Sequence, residues 1–125
     1  MVEQNFEAQL LEGASTAVYS PWMPRGGDYI IATAELIALE ASAQLDVKLF
    51  TKDLDDPGEG AQVNSAIKIS ISVAGRRDSE EWGFDGTTGL KELVRYRYEC
   101  RAATAAGSVL FRMLSPVWFD AVDAA

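Results

Sequence analysis

The stretch that decides the fold of this 125-residue chain is residues 66–75, AIKISISVAG. Its apolar residues Ile67, Ile69 and Ile71 alternate with polar ones. A period of two is that of a β-strand, in which successive side chains point to opposite faces of the sheet. The segment is therefore predicted to be a strand with one face in the core and the other in water.

The same alternation recurs along the chain and predicts further strands. Clear ones are expected over residues 45–49 and 94–101. A strand with less clean alternation, whose two faces are both partly covered, is expected over residues 109–114, and weaker strands over residues 6–12 and 16–19. Residues 29–41 fit either a helix or a strand, and their β-branched start and neighbouring strands favour the strand.

Clusters of proline and glycine separate these segments, as turns require. About seven strands at short spacing predict an all-β fold: an antiparallel β-sandwich of jelly-roll or Ig-like type, with a barrel as the alternative. Residues 1–125 are predicted to form one domain, with the N-terminal segment 1–27 and the tail 114–125 as candidate arms. Residues 105–107 are expected to form a hairpin turn between the last two strands.

The composition argues against several classes of protein. The net charge is −8, and the chain has no histidine and one cysteine. Catalytic triads and the usual zinc sites need histidine, so we expect no enzyme of these classes, no metal and no cofactor. The acidic balance disfavours nucleic acid or an anionic membrane as a partner. The N-terminus lacks the pattern of a signal peptide, and no apolar run is as long as a membrane span, which predicts a protein made in a cytoplasm without export.

Two acidic segments are candidates for chemistry. Asp53, Asp55, Asp56 and Glu59 depart from the EF-hand pattern, so a solvated turn is favoured over an irregular calcium site. Around Trp82, the carboxylates Glu80, Glu81 and Asp85 suggest a glycosidase-like pair. A polar loop pinned by Trp82 and Phe84 is the favoured alternative for that segment.

Arginines dominate the segment 91–112, which holds five basic and two acidic residues. Arg95, Arg97 and Arg101 alternate along one predicted strand, so they are expected on one sheet face, where they would meet Arg112 across the hairpin. The set predicts either a docking face for an acidic protein surface or internal ion pairs with Glu99, Glu35 or Glu40.

The remaining candidates are aromatic residues and the cysteine. Trp22, Trp82 and Trp118 could form a stacking platform for a carbohydrate, but they lie in separate segments. We therefore favour tryptophans that cover the core or anchor a protein interface. Cys100 alternates inward with Tyr96 and is expected to be a buried thiol and not a nucleophile.

Three stretches carry a resemblance that covers residues 20 to 120. They are MPRGGD at residues 23–28, DLDDPGEG at residues 53–60 and LVRYRYECRAATAAGSVLFRMLSPVWFDA at residues 93–121. Together they resemble small β-sandwich structural proteins of tailed bacteriophage virions, in overall pattern and without a diagnostic motif. No site of that group can be assigned residue by residue.

The resemblance implies a head decoration, or cement, protein that binds and stabilises the capsid lattice without catalysis. Its partner would be the major capsid protein or another virion protein, with a homo-oligomer as a further candidate, and its location the virion assembled in the host cytoplasm. Under this hypothesis the expected anchors are Trp22, Arg25, Trp118 and Phe119, and the charged docking set is Arg95, Arg97 and Arg112. The alternatives are a carbohydrate-binding β-sandwich module and a tail tube or tail-terminator component.

Overall fold

The computed structural model describes residues 8–65, 68–83 and 89–120. Within these ranges all regular secondary structure is β-strand. Two antiparallel sheets pack against each other without closing into a barrel. The predicted antiparallel β-sandwich is therefore confirmed. No helix in the described ranges is long and apolar enough to cross a membrane.

Eleven strands occur in the described residues, against the seven or so that were predicted. In chain order they are β1 (Gln9–Glu12), β2 (Ser15–Tyr19), β3 (Met23–Pro24), β4 (Tyr29–Glu40), β5 (Gln44–Lys52), β6 (Ala61–Gln62), β7 (Ile69–Ile71), β8 (Arg77–Trp82), β9 (Leu93–Arg101), β10 (Ser108–Met113) and β11 (Val117–Phe119). The predicted strands over residues 29–41, 45–49, 94–101 and 109–114 are confirmed as β4, β5, β9 and β10. The two weaker ones correspond to β1 and β2.

Sheet 1 contains β1, β4, β8, β10 and β11. Along β4, β10 pairs with residues 34–40 and β11 with residues 29–31, so these two short strands follow one another along the same edge. Because β8 pairs with residues 30–35, overlapping both registers, it must occupy the other edge of β4. The spatial order is therefore β1, then β10 with β11, then β4, then β8.

Sheet 2 is arranged in the same way around its two long strands, β5 and β9, which pair over nine residues. β2 and β3 follow one another along the free edge of β9. β6 and β7 share the free edge of β5. Each sheet is thus four strand positions wide.

The inward faces of both sheets form the core. Its largest fully buried side chains include Trp82, Phe111, Ile30, Leu36 and Leu45. Burying an aliphatic or aromatic side chain of this size stabilises a fold by about 1.5–3 kcal/mol. The alternation of apolar and polar residues in the sequence thus corresponds to the alternation of side chains between the core and the surface.

A bulge explains why residues 29–41 do not show a clean strand pattern. Leu110 pairs with Ala38 and Phe111 with Leu36, so Ile37 is an extra residue in β4. Before Ile37 the even-numbered residues face the core, and after it Leu39 packs against the core instead. The bulge shifts the period by one residue, which produces the spacing that also fits a helix.

Three predictions about the strands are wrong or incomplete. The strand expected over residues 66–75 is the three-residue β7 in the described part, because residues 72–76 turn toward sheet 1, where the Gly75 N–H donates to the Leu36 carbonyl over 2.7 Å. Residues 66 and 67 lie outside the described ranges. The polar loop expected around Trp82 is instead β8, a strand at the edge of sheet 1 whose charged side chains suit an exposed edge.

The third error concerns residues 105–107. They do lie in a turn, but β9 belongs to sheet 2 and β10 to sheet 1, so the chain crosses between the sheets there and forms no hairpin. Arg112 is therefore not on a strand beside β9. The candidate arms are also part of the sandwich where they are described, since segment 1–27 contributes β1, β2 and β3 and segment 114–125 contributes β11.

Candidate functional site: a cation–aromatic cluster on sheet 2

The outer face of sheet 2 gathers most of the basic side chains of the predicted docking set. Arg95, Arg97 and Arg101 alternate along β9 with the buried residues Tyr96, Tyr98 and Cys100, so their predicted placement on one face is confirmed. Among the described residues this face carries six basic side chains, Lys48, Lys52, Lys68, Arg95, Arg97 and Arg101, against the two carboxylates of Asp46 and Glu99. It is a positive surface on an acidic chain.

Asp46 is fully buried although it lies on the outer side of β5. Arg101 donates to its carboxylate over 3.0 Å, Ser70 and Gln44 donate over 2.8 Å each, and Lys68 lies 3.6 Å away. Desolvation by burial is the largest single effect on its pKa and would raise it. The donors and Lys68 together outweigh desolvation and hold the pKa of Asp46 below its ordinary value.

Glu99 lies directly opposite Asp46 on the neighbouring strand, which would be unfavourable for two bare carboxylates. Lys48 forms an ion pair with Glu99 at 2.9 Å, and Arg97 forms another at 3.2 Å. Four of the six basic side chains therefore have a carboxylate partner within the face, with two cations sharing each carboxylate. The predicted internal pair between the β9 arginines and Glu99 is confirmed for Arg97.

The other two basic side chains, Arg95 and Lys52, are held by aromatic rings. The Arg95 guanidinium carbon lies 3.8 Å from the Tyr19 ring centre and 4.3 Å from that of Trp22. The Lys52 ammonium lies 4.8 Å from the Trp22 ring centre, and Phe50 packs edge-on against Tyr19 at 5.6 Å. We call these five residues, Tyr19, Trp22, Phe50, Lys52 and Arg95, the cation–aromatic cluster.

Neither cation of the cluster forms an ion pair with a carboxylate in the described residues. Arg95 donates to the Glu59 carbonyl over 3.3 Å, and Lys52 donates to the Gly58 carbonyl over 3.2 Å. The Nε of Arg95 is buried and has no hydrogen-bond partner among the described residues. Aromatic faces orient a cation without neutralising it, so both positive charges remain available to an anion.

Local sequence features hold Trp22 at this position. Ser20 exchanges hydrogen bonds with the Tyr96 backbone through its amide and its hydroxyl, both 2.9 Å long, which anchors the end of β2. On the other side Gly60 has a φ of +84°, and a Cβ there would lie 2.8 Å from the Trp22 ring and 2.6 Å from the Thr51 carbonyl oxygen. Only glycine fits this turn without moving Trp22.

The acidic loop before Gly60 has the contacts of a turn. The Asp56 carboxylate accepts the Gly58 N–H over 2.8 Å, and the Asp56 N–H donates to the Asp53 carbonyl over 3.1 Å. In the described residues no group of three or more histidine, cysteine, aspartate or glutamate side chains could hold a metal ion.

Glu80 and Glu81, two of the three carboxylates predicted as candidates near Trp82, do not face each other. On β8, Glu80 pairs with the inward residue Ala32 and Glu81 with the outward residue Ile31, so the two side chains leave opposite faces of the sheet. Asp85 lies outside the described residues. Trp82 is completely buried, which excludes it as a stacking platform for a sugar.

The other predicted site residues lie away from the cluster. On the outer side of sheet 1, Arg112 forms an ion pair with Glu35 at 3.1 Å, as one of the internal pairings predicted. Glu35 also accepts a hydrogen bond from Arg77, which is the main cause of its lowered pKa, with Arg112 contributing. Arg112 thus shares the Glu35 carboxylate with Arg77, in a different sheet from Arg95.

Trp118, Phe119 and Arg25 form a third group. The Trp118 ring is half-buried and lies so close to Gly26 that a Cβ there would be 2.7 Å from it. The ring of Phe119 stacks on Tyr29 at 5.1 Å, and Arg25 donates to the Leu90 carbonyl over 2.6 Å. The predicted anchors and docking arginines are therefore divided among three places, and only Trp22 and Arg95 belong to the cluster, with Arg97 beside it.

Tyr19, Phe50 and Lys52 were missed as site residues. Tyr19 is the last residue of a weakly predicted strand, Phe50 directly follows the predicted strand 45–49, and Lys52 precedes the acidic loop, so nothing local grouped them with Arg95. The spacing of Tyr19 and Trp22 around a proline was the one local sign. Comparison with protein-family models, with curated proteins and with solved structures gives no match to this chain.

Proposed function

We propose that this chain is a non-enzymatic structural protein of a tailed-bacteriophage virion, a decoration protein that binds the head lattice and stabilises it. The observation that carries the proposal is the cation–aromatic cluster. It presents Arg95 and Lys52 without carboxylate partners in the described residues, on a chain of net charge −8. The resemblance of residues 20–120 to small virion proteins suggests the partner, which is the major capsid protein or another virion protein.

The cluster has the chemistry of a protein-docking site. Tryptophan, tyrosine and arginine are the residues that most often dominate the binding energy of protein interfaces. A carboxylate on the partner would form charge-assisted hydrogen bonds with Arg95 and gain from the nearby charge of Lys52. Many copies bound to a lattice would then stabilise it collectively, even if each contact is weak.

The carbohydrate-binding alternative has less support. It needs exposed aromatic platforms, whereas Trp82 is buried and Trp22 is covered by two cations. A tail tube or tail-terminator role uses the same type of docking face, and we treat it as an outcome of the test.

The test uses phage heads and, separately, tails assembled without this protein. Wild-type protein should sediment with heads and raise the temperature at which they release DNA. Arg95→Gln should weaken head binding about tenfold, because an interface arginine of this kind typically contributes over 1 kcal/mol. Arg76→Gln is the matched control, since Arg76 is exposed in the turn before β8. Binding to tails alone, or equal binding by Arg95→Gln and wild type, would overturn the proposal.

A further inference from the structure

A cavity of about 300 Å³ opens at the end of the sandwich next to the cation–aromatic cluster. Its lining combines the apolar residues Pro21, Met23, Met113, Leu114 and Pro116 with Tyr19, Tyr96, Tyr98 and the polar side chains of Gln9 and Ser20. The volume is about ten times that of a water molecule in the liquid, about 30 Å³. The cavity is open at the end of the sandwich and is large enough to admit a side chain from another molecule.

The cavity lies beside the two links through which one edge strand is followed by the next in each sheet. β2 gives way to β3 through residues 20–22, and β10 gives way to β11 through residues 114–116. Each link contains a proline, Pro21 or Pro116, which cannot donate a backbone hydrogen bond to a neighbouring strand. Both links line the cavity.

The cavity and the cluster have one residue in common, Tyr19. This residue lines the cavity, and its ring also lies 3.8 Å from the Arg95 guanidinium carbon. A partner segment that is bound in the cavity and continues past Tyr19 would reach the charges of Arg95 and Lys52 on the outer face of sheet 2. Charge complementarity selects an occupant that carries a carboxylate beside its apolar group.

We propose that the cavity receives one bulky apolar side chain, such as leucine or phenylalanine, from an acidic segment of a partner protein. A carboxylate of the same segment would bind Arg95 and Lys52. This inference rests on the proposed docking function and specifies the partner's chemistry. Two methionines in the lining suit such a role, because their flexible, polarisable side chains adapt to the shape of an inserted group.

The test begins with three capped peptides: Asp-Asp-Leu-Asp-Asp, the same peptide with alanine in place of leucine, and Asn-Asn-Leu-Asn-Asn. Binding is measured by titrating isotope-labelled protein and following its amide resonances. The leucine peptide should bind about tenfold more tightly than the alanine peptide, as expected for burial of a leucine side chain. Its resonance shifts should centre on Met23 and Leu114, and the uncharged peptide should bind more weakly.

Leu114→Phe narrows the cavity, and Leu110→Phe is its matched control on the outer side of β10. Both variants should keep the melting temperature of a folded sandwich. Only Leu114→Phe should abolish the preference for leucine over alanine. Equal binding of the leucine and alanine peptides to wild type, or equally tight binding of the uncharged peptide, would overturn the inference, the latter result indicating a site for any apolar ligand.

Head binding separates this inference from the function on which it rests. If Leu114→Phe binds heads like wild type while Arg95→Gln is impaired, the cavity inference fails and the docking function stands. If wild type does not bind heads but still prefers the leucine peptide, the cavity inference is supported and the proposed virion function fails.

Discussion

Tyr96 and Tyr98 project from β9 into the space between the sheets, but their hydroxyl groups have different surroundings. The Tyr96 hydroxyl is buried and has no hydrogen-bond partner among the described residues. The Tyr98 hydroxyl has hydrogen-bonding neighbours in Gln9 and Ser20. Burial raises the pKa of Tyr98 to about 12 and also raises that of Tyr96, so both phenols are neutral at pH 7.

Removing each hydroxyl should therefore have a different effect. Tyr96→Phe should leave the free energy of unfolding unchanged or raise it by up to about 1 kcal/mol, because an unpaired polar group is removed from the interior. Tyr98→Phe should lower it by about 1 kcal/mol, since hydrogen bonds are lost. Urea unfolding of the two variants provides the measurement, and an equal loss in both would contradict the assignment.

Asp46 links the stability of sheet 2 to pH. Its pKa is lowered in the folded state, so its contribution to stability is present above the unfolded pKa of about 3.9 and is lost as the pH falls through the folded value. The ionised carboxylate is the form that accepts the hydrogen bonds of Arg101, Ser70 and Gln44.

Asp46→Asn should lower the free energy of unfolding by about 1–2 kcal/mol at pH 7. Between pH 6 and pH 3 the variant should lose less stability than wild type, because this titrating group is absent. Chemical denaturation at a series of pH values tests both statements. Asp55→Asn, at an exposed position in the acidic loop, is the control that should follow wild type. Parallel pH curves for Asp46→Asn and wild type would refute the role of Asp46.

At the scale of elements, β11 depends on a close approach between two backbones. It pairs with residues 29–31 of β4, and a Cβ on Gly27 would lie 2.8 Å from the Phe119 carbonyl oxygen. Glycine is needed here for space, since its own backbone conformation is one that other residues adopt.

Gly27→Ala should displace β11 and lower the free energy of unfolding by about 1–3 kcal/mol. Hydrogen exchange should accelerate for the amides of β11 while those of β5 and β9 stay protected. Gly58→Ala is a suitable control, because the nearest atom to its Cβ would be a side-chain oxygen of Asp56 at 3.1 Å. Unchanged exchange in β11 would show that the strand tolerates the extra methyl group.

At the scale of the whole molecule, the chain repeatedly crosses between the sheets. β1 and β2 are consecutive but lie in different sheets, as do β4 and β5, β7 and β8, and β9 and β10. Backbone hydrogen bonds hold the connecting segments in place. The Gly13 N–H, between β1 and β2, donates to the Gly107 carbonyl over 2.8 Å, and the Gly75 N–H, between β7 and β8, donates to the Leu36 carbonyl over 2.7 Å. Most pairings therefore join segments that are distant in the sequence.

This topology predicts slow folding. Proteins dominated by long-range strand pairing fold in milliseconds to seconds, because loop closure must precede the contacts that stabilise it. Stopped-flow refolding followed by tryptophan fluorescence should show a main phase in that range, with buried Trp82 as a reporter. A main phase in microseconds would mean that local structure governs folding instead.

The sequence by itself determined the long strands β5 and β9 and the side of each that faces the core, whereas β3, β6, β8 and β11 were not predicted. Alternation in residues 45–49 and 94–101 identified the inward residues of β5 and β9, the shared face of Arg95, Arg97 and Arg101, and the burial of Cys100. These features depend on the period of two, which is a local property of the backbone. A bulge at Ile37 was enough to obscure the pattern in β4.

Only the tertiary structure decided which segments meet. The crossing between β9 and β10 places Arg112 in the other sheet, and the neighbours Arg101, Lys68 and Ser70 bury Asp46 on an outer face. The cation–aromatic cluster joins β2, β5 and β9 with the link after β2, across as many as 76 residues in the case of Tyr19 and Arg95. Alternation specifies the face of a strand but carries no information about its partner, because partners are chosen by packing and hydrogen bonding over the whole chain.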